Sequence, residues 1–295
     1  MDFAERSPDR CSGVLTRSYC GSTTLRGMSA QSSNGMERIR SAFEPARAGH
    51  RAALMPFITA GYPDLATTER ILVGAADAGA DLLEIGFPFS DPIADGPVIA
   101  ESMHQALLAG TTPDQIFEMV ARTRTATPMI AMVSISIVER MGLEAFVSRA
   151  VSSGFAGFIV PDADPSVAAE VSSFAAKRGA GFCALVSPST PTDRLESLAR
   201  LSTGFVYLLA RAGGTGERND APEIAERVQA IRALTDAPIA AGFGISTAAH
   251  VTAVGQHADG AIVGSAIVRR MKEAVSTGVN PAETALQAIR SLRTT

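Results

Sequence analysis

Leu82-Leu83-Glu84-Ile85-Gly86-Phe87-Pro88-Phe89-Ser90-Asp91-Pro92-Ile93-Ala94-Asp95-Gly96-Pro97 reads as a buried strand that breaks into a stiff polar turn. Side chains alternate faces along a strand, so Leu82 and Glu84 point one way and Leu83 and Ile85 the other. A carboxylate inside such an apolar run is costly unless it is paired, neutralised or put to use. Asp95 follows in the loop, where a second carboxylate can converge with the first on one ligand. The same residues admit a structural reading, with Glu84 a paired buried acid and Asp91 and Asp95 turn formers.

On either side of this stretch the chain alternates between two textures. From Met36 onward, short apolar runs rich in Val, Ile, Phe and Gly are followed by longer Ala-rich amphipathic segments. That alternation implies βαβ units and a parallel sheet. A leading helix is expected over residues 36–48, with Ile39, Phe43 and Ala46 on one face. Besides the Glu84 run, strands are expected at about 53–60, 129–135, 155–160, 181–186, 205–210, 238–242 and 260–263, each followed by helix. Eight such units close into a (β/α)8 TIM barrel of about 250 residues, and residues 36–295 have the length of one such domain. No G-x-G-x-x-G follows the first strand, which argues against an open dinucleotide-binding sheet.

Residues 1–35 are rich in Ser, Arg and Gly and show no periodicity, so they read as a disordered extension, with translation starting at Met28 or Met36. They lack the apolar middle of a signal peptide, and Asp2, Glu5 and Asp9 argue against a transit peptide. A net charge of −4 offers nothing to nucleic acid, and no apolar run is long enough to cross a bilayer. Cys11, Cys20 and Cys183 are too scattered for a disulfide framework or a metal site, so a reducing cytoplasm is the expected compartment.

In a barrel the active site lies at the C-terminal ends of the strands, where Glu84 and Asp95 both fall. The last three strands lead into Gly213-Gly214-Thr215-Gly216, Gly242-Phe243-Gly244-Ile245-Ser246 and Gly264-Ser265. Glycine-rich turns expose amides, and a helix opening at Ser265 favours an anion, so these loops read as a phosphate site. Tight packing at strand ends is the other reading of the same glycines. Lys177 and Lys272, the only lysines, fall on expected helices away from the strand ends, which disfavours a Schiff-base mechanism. His50, His104, His250 and His257 fall on helices or their ends and do not cluster, which disfavours a metal centre or a histidine-based triad. Glu84 and Asp95 remain as the acid–base pair.

The run from Leu83 to Pro97 closely resembles the signature of the tryptophan synthase alpha subunit family. Similar to that family too are Pro56 to Gly61, Val160-Pro161-Asp162, Tyr207-Leu208-Leu209, Gly213 to Gly216, Gly242 to Ser246 and Gly264 to Val268. The resemblance implies a (β/α)8 barrel with an extra leading helix. It implies a carbon–carbon lyase that cleaves indole-3-glycerol phosphate to indole and glyceraldehyde 3-phosphate without a cofactor. On it, Glu84 is the acid/base and Asp95 stabilises positive charge at the indole nitrogen. Thr215 belongs to a mobile loop closing towards Asp95, Tyr207 stands beside Glu84, and Phe57 lines the indole pocket. Gly216, Gly244, Gly264 and Ser265 bind phosphate. Asp91 and Pro92 face a beta subunit, which uses pyridoxal phosphate to join indole to serine in an alpha2-beta2 tetramer.

The chain departs from the family pattern in places. Ser134 and Ser136 stand where many members have an aromatic residue and an Asn. Ala163-Asp164-Pro165 replaces a Leu-Pro, Phe205 stands where a Tyr is frequent, and Gly214 precedes Thr215. Two alternatives accompany the reading: a phosphoribosyl isomerase on the same barrel, and a non-catalytic alpha-like subunit that only activates a beta partner. The Glu84 to Asp95 run speaks against the first, and retained Glu84, Asp95 and Thr215 against the second.

Overall fold

The side chain of Asn34 accepts a hydrogen bond from the Met36 amide and opens α1, Gly35–Ala48, whose buried residues are Ile39, Phe43 and Ala46. These are the three that the helical spacing predicts. The computed structural model describes residues 34–92, 95–210, 224–242 and 244–294. Nearly all of the N-terminal extension therefore lies outside the described residues.

Nine parallel strands follow: β1 Ala53–Thr59, β2 Leu83–Gly86, β3 Met129–Met132, β4 Gly157–Ile159, β5 Gly181–Phe182, β6 Leu185–Val186, β7 Val206–Leu209, β8 Ile239–Gly242 and β9 Gly260–Val263. Their order is β5-β4-β3-β2-β1-β9-β8-β7-β6. The two ends of that order, β5 and β6, are the two halves of the single strand that the sequence predicts over 181–186. The first half pairs with β4 through Gly157 and Gly181, and the second with β7 through Leu185 and Tyr207. Between them the Cys183 amide donates to Phe158 O and the Ala184 carbonyl accepts from the Tyr207 amide. One strand thus hands its ladder from one neighbour to the other, and the sheet closes as an eight-unit barrel.

The helices are α2 Leu65–Ala78, α3 Pro97–Leu108, α4 Pro113–Arg122, α5 Ile135–Met141, α6 Leu143–Ser153, α7 Pro165–Lys177, α8 Thr192–Leu201, α9 Ala225–Arg232, α10 Ala248–Gly255, α11 Ser265–Thr277 and α12 Pro281–Leu292. Their starts follow local chemistry. Asp64 caps α2, and Thr112 with Gln115 forms a capping box on α4 behind the N1 proline. One boundary differs from expectation. The third strand stops at Met132 rather than at residue 135, because Ser134 caps a short helix, α5. The cap is completed from a distance: Asp162 Oδ1 accepts from the Ile135 amide at 2.8 Å, and Ser134 Oγ donates to Asp162 Oδ2 at 2.6 Å.

Gly157, Gly181 and Gly260 are the first residues of β4, β5 and β9, and α1 fills the space they leave. A Cβ at Gly157 would stand 2.8 Å from Ile39 Cδ1 and 2.8 Å from the Gly181 carbonyl oxygen. A Cβ at Gly260 would stand 3.0 Å from Phe43 Cε1. Phe43 also meets Phe205 edge-on, with ring centroids 6.1 Å apart. The leading helix therefore plugs the N-terminal mouth of the barrel and leaves the C-terminal mouth for chemistry. Gly157→Val should lower stability by about 1–3 kcal/mol, the usual cost of overpacking, because the added atoms meet backbone. Urea unfolding reads this directly, and an unchanged midpoint would contradict the plug.

Candidate active site

Glu84 lies in β2 in register with Phe57 of β1 and Ile130 of β3. Its side chain is 1% exposed, and neither carboxyl oxygen has a hydrogen-bond partner among the described residues. Burial, followed by the charge of Asp95, pushes its pKa up to about 8. Asp95 sits in the turn after β2, its amide donating to Pro92 O at 3.0 Å. Burial pushes its carboxyl up to about 6. At neutral pH Glu84 is therefore mostly a neutral acid and Asp95 mostly an anion, a split that separates a proton donor from a charge stabiliser.

Tyr207 closes the third side of this group. It pairs with Leu185 of β6 and Ala240 of β8. Burial and then the Glu84 and Asp95 charges raise its phenol well above the ordinary range, so it stays neutral. The structure thus brings Glu84, Asp95 and Tyr207 within electrostatic reach of one another at the mouth.

The glycines at the strand ends divide into two kinds. A Cβ at Gly86 would overlap the Phe57 ring, and one at Gly242 the Tyr207 hydroxyl end. Both glycines make room for aromatic lining residues, as the packing reading expects. Gly244 has φ +83°, which favours glycine on backbone grounds. Gly264 is the N-cap of α11 and supplies no capping side chain, and its carbonyl accepts from the Ile267 amide of the first turn at 2.9 Å. A Cβ at Gly264 would stand 3.3 Å from Phe57 Cβ, so the start of α11 packs directly on the Phe57 wall. The loop before α10 is tied down by His250, 5% exposed, whose Nδ1 accepts from the Ser246 amide at 3.4 Å. His250 falls at a helix start, as its spacing predicts, but its tie to Ser246 needs the folded loop and was not legible. Thr215, Gly216 and Phe243 lie outside the described residues.

Asp91 is exposed and Pro92 half-buried, on the rim beside the mouth. Next to them opens a cleft of ≈ 870 Å³, lined by Phe87, Pro88, Phe89 and Ser90 and, across from these, by Ser136 and Ile137. Ser134 is occupied in capping α5, so its hydroxyl serves the scaffold rather than the mouth. Lys177 lies on α7, and Lys272 lies on α11 and pairs with Glu101. Among the described residues no cluster of three or more His, Cys, Asp or Glu could hold a metal ion.

A barrel mouth with a buried acid, a second carboxylate and a helix start at the last strand has the parts of an acid–base enzyme site. Over residues 43–294 the chain matches the family model described as tryptophan synthase alpha chain. It is 42% identical over 265 residues to the tryptophan synthase alpha chain of Rhodopirellula baltica, covering 85% of this chain and 94% of that one. It is 41% identical over 237 residues to a tryptophan synthase of Saccharomyces cerevisiae, covering 79% of this chain and 34% of the longer yeast protein. The crystal structure of tryptophan synthase subunit alpha from Legionella pneumophila matches with a TM-score of 0.79 and 32% identity, covering 86% of this chain and 96% of that one. A Mycobacterium tuberculosis tryptophan synthase structure matches with a TM-score of 0.77 and 31% identity, covering 87% and 99%. The chain belongs to the tryptophan synthase alpha chain family. It is a lyase of tryptophan biosynthesis.

The raised pKa of Glu84 has a consequence for stability. A neutral Glu84 costs nothing extra below about pH 4, where both folded and unfolded forms are protonated. Between about pH 4.5 and 8 the unfolded chain ionises this carboxyl while the folded chain keeps it protonated, so stability falls through that window and levels off above about pH 8. Glu84→Gln should therefore match the parent at pH 4 and exceed it by up to about 5 kcal/mol at pH 9, read by denaturant unfolding at both values. Equal stabilities at pH 9 would mean that Glu84 is not desolvated.

Proposed function

We propose that Glu84 and Asp95 divide the acid–base work of this cleavage. Glu84, as the neutral acid, protonates the indole ring carbon that carries the glycerol phosphate chain. Asp95, as the anion, stabilises the positive charge that this places on the indole nitrogen. The Glu84 carboxylate then takes the proton of the neighbouring glycerol hydroxyl. The bond between ring carbon and side-chain carbon breaks, its electron pair returns to the ring, and the hydroxyl becomes the aldehyde of glyceraldehyde 3-phosphate. The proton given and the proton taken balance, so the step needs no cofactor. The observation that carries this reading is the burial of Glu84 without a hydrogen-bond partner, one turn away from a second carboxyl.

In the same reading Phe57 and Tyr207 flank the indole ring. The amides at Gly244, Gly264 and Ser265, with Gly216, hold the phosphate, and Thr215 closes over the site. Indole passes to a beta chain that carries pyridoxal phosphate, docked on Asp91, Pro92 and the adjoining cleft in an alpha2-beta2 assembly. The match to about a third of a longer yeast tryptophan synthase supports such a division of labour. Residues 36–295 act as one domain, with 1–35 an extension to it, in the cytoplasm.

Glu84→Gln and Asp95→Asn should each reduce indole release by the purified chain at least about 100-fold while the protein stays folded. Near-normal turnover in either variant would sink the assignment. For the parent, kcat/KM should form a bell, falling below about pH 6 as Asp95 gains a proton and above about pH 8 as Glu84 loses one. A profile flat from pH 5 to 9 would separate these carboxyls from the chemistry.

A further inference from the structure

The position of Asp95 depends on α3, which begins two residues later at Pro97. Gly96 caps that helix, and Pro97 restricts the link between the two, so a shift of α3 moves Asp95 with it. Most of what holds α3 is apolar: Ile99, Met103 and Ala106 are buried. Apolar burial is non-directional and fixes the axial position of a helix less sharply than a buried hydrogen bond does. The exposed Glu101–Lys272 pair adds a contact to α11 that solvent screens.

A buried hydrogen bond adds a directional tie. Thr59, the last residue of β1, is 1% exposed, and Ser102 of α3 is 2% exposed. Their hydroxyl oxygens lie 2.6 Å apart. Ser102 Oγ donates to the Ile99 carbonyl at 2.7 Å, which commits its single proton, so Thr59 is the donor of the pair. Thr59 stands in register with Gly86, two residues beyond Glu84, and Gly86 O accepts from the Ala60 amide at 2.9 Å. A chain of fixed contacts therefore runs from the Glu84 strand through the end of β1 to the helix behind Asp95.

We propose that Thr59 and Ser102 are a positioning pair that sets Asp95 against Glu84 during cleavage. This rests on the role given to Asp95 above. Neither hydroxyl touches substrate. Their effect is on geometry, and small misplacements of a charge-stabilising group cost rate more than binding.

The test is steady-state indole release by the full chain. Thr59→Val should lower kcat about tenfold and change KM for indole-3-glycerol phosphate less than twofold. Thr59→Ser, which keeps the hydroxyl, should restore kcat. Ser102→Ala should reproduce the loss, and the double variant should be no worse than either single one, as expected for two halves of one contact. If Thr59→Val does not fold, Ser102→Ala carries the same expectation. Unchanged kcat in a folded Thr59→Val or Ser102→Ala, beside an inactive Asp95→Asn, overturns the pair alone. So does failure of Thr59→Ser to rescue. An active Asp95→Asn overturns the Asp95 reading and this inference with it.

Discussion

A carboxyl group buried in an apolar barrel, with no donor to bond its oxygens, cannot hold a negative charge at neutral pH without heavy cost. Glu84 is in that position, and the rest of the mouth follows from it. Its pKa rises far enough to make it a proton donor, while Asp95, less deeply buried, ionises first. Two residues of the same chemistry thus take opposite charge states within one cleft. The Asp95 charge reinforces the arrangement, since it further disfavours ionisation of Glu84.

Glycine shapes both ends of the barrel, for different reasons. At the N-terminal mouth, Gly157, Gly181 and Gly260 leave room for Ile39 and Phe43, so one helix closes that end. At the C-terminal mouth, Gly86 and Gly242 leave room for the rings of Phe57 and Tyr207. Only Gly244, with its positive φ, and Gly264, at the uncapped start of α11, keep the character of a phosphate loop among the described residues.

Much of this was legible in the chain because it is local. The Glu84 run, the helical face of Ile39, Phe43 and Ala46, and the strand–helix alternation all depend on near neighbours. What was not legible depends on distant ones. The fifth strand splits because it serves two partners at the closing seam, which no local pattern encodes. The third strand ends early because Asp162, twenty-eight residues after Ser134, completes a helix cap. Thr59 and Ser102 are ordinary strand-end and helix residues until the fold places their hydroxyls 2.6 Å apart. The residues of the last loops that carry Thr215 and Gly216 lie outside the described structure, and their roles rest on the family pattern.

The charge state of Glu84 is the centre of the account, and it can be observed without turnover. Difference infrared spectroscopy of the substrate-free chain, with Glu84→Gln to assign the band, reports whether that carboxyl is protonated. The account predicts a protonated-acid band that persists at pH 7 and is lost with a midpoint at about pH 8. Loss of the band near the ordinary carboxylate range, at about pH 4–5, would contradict it.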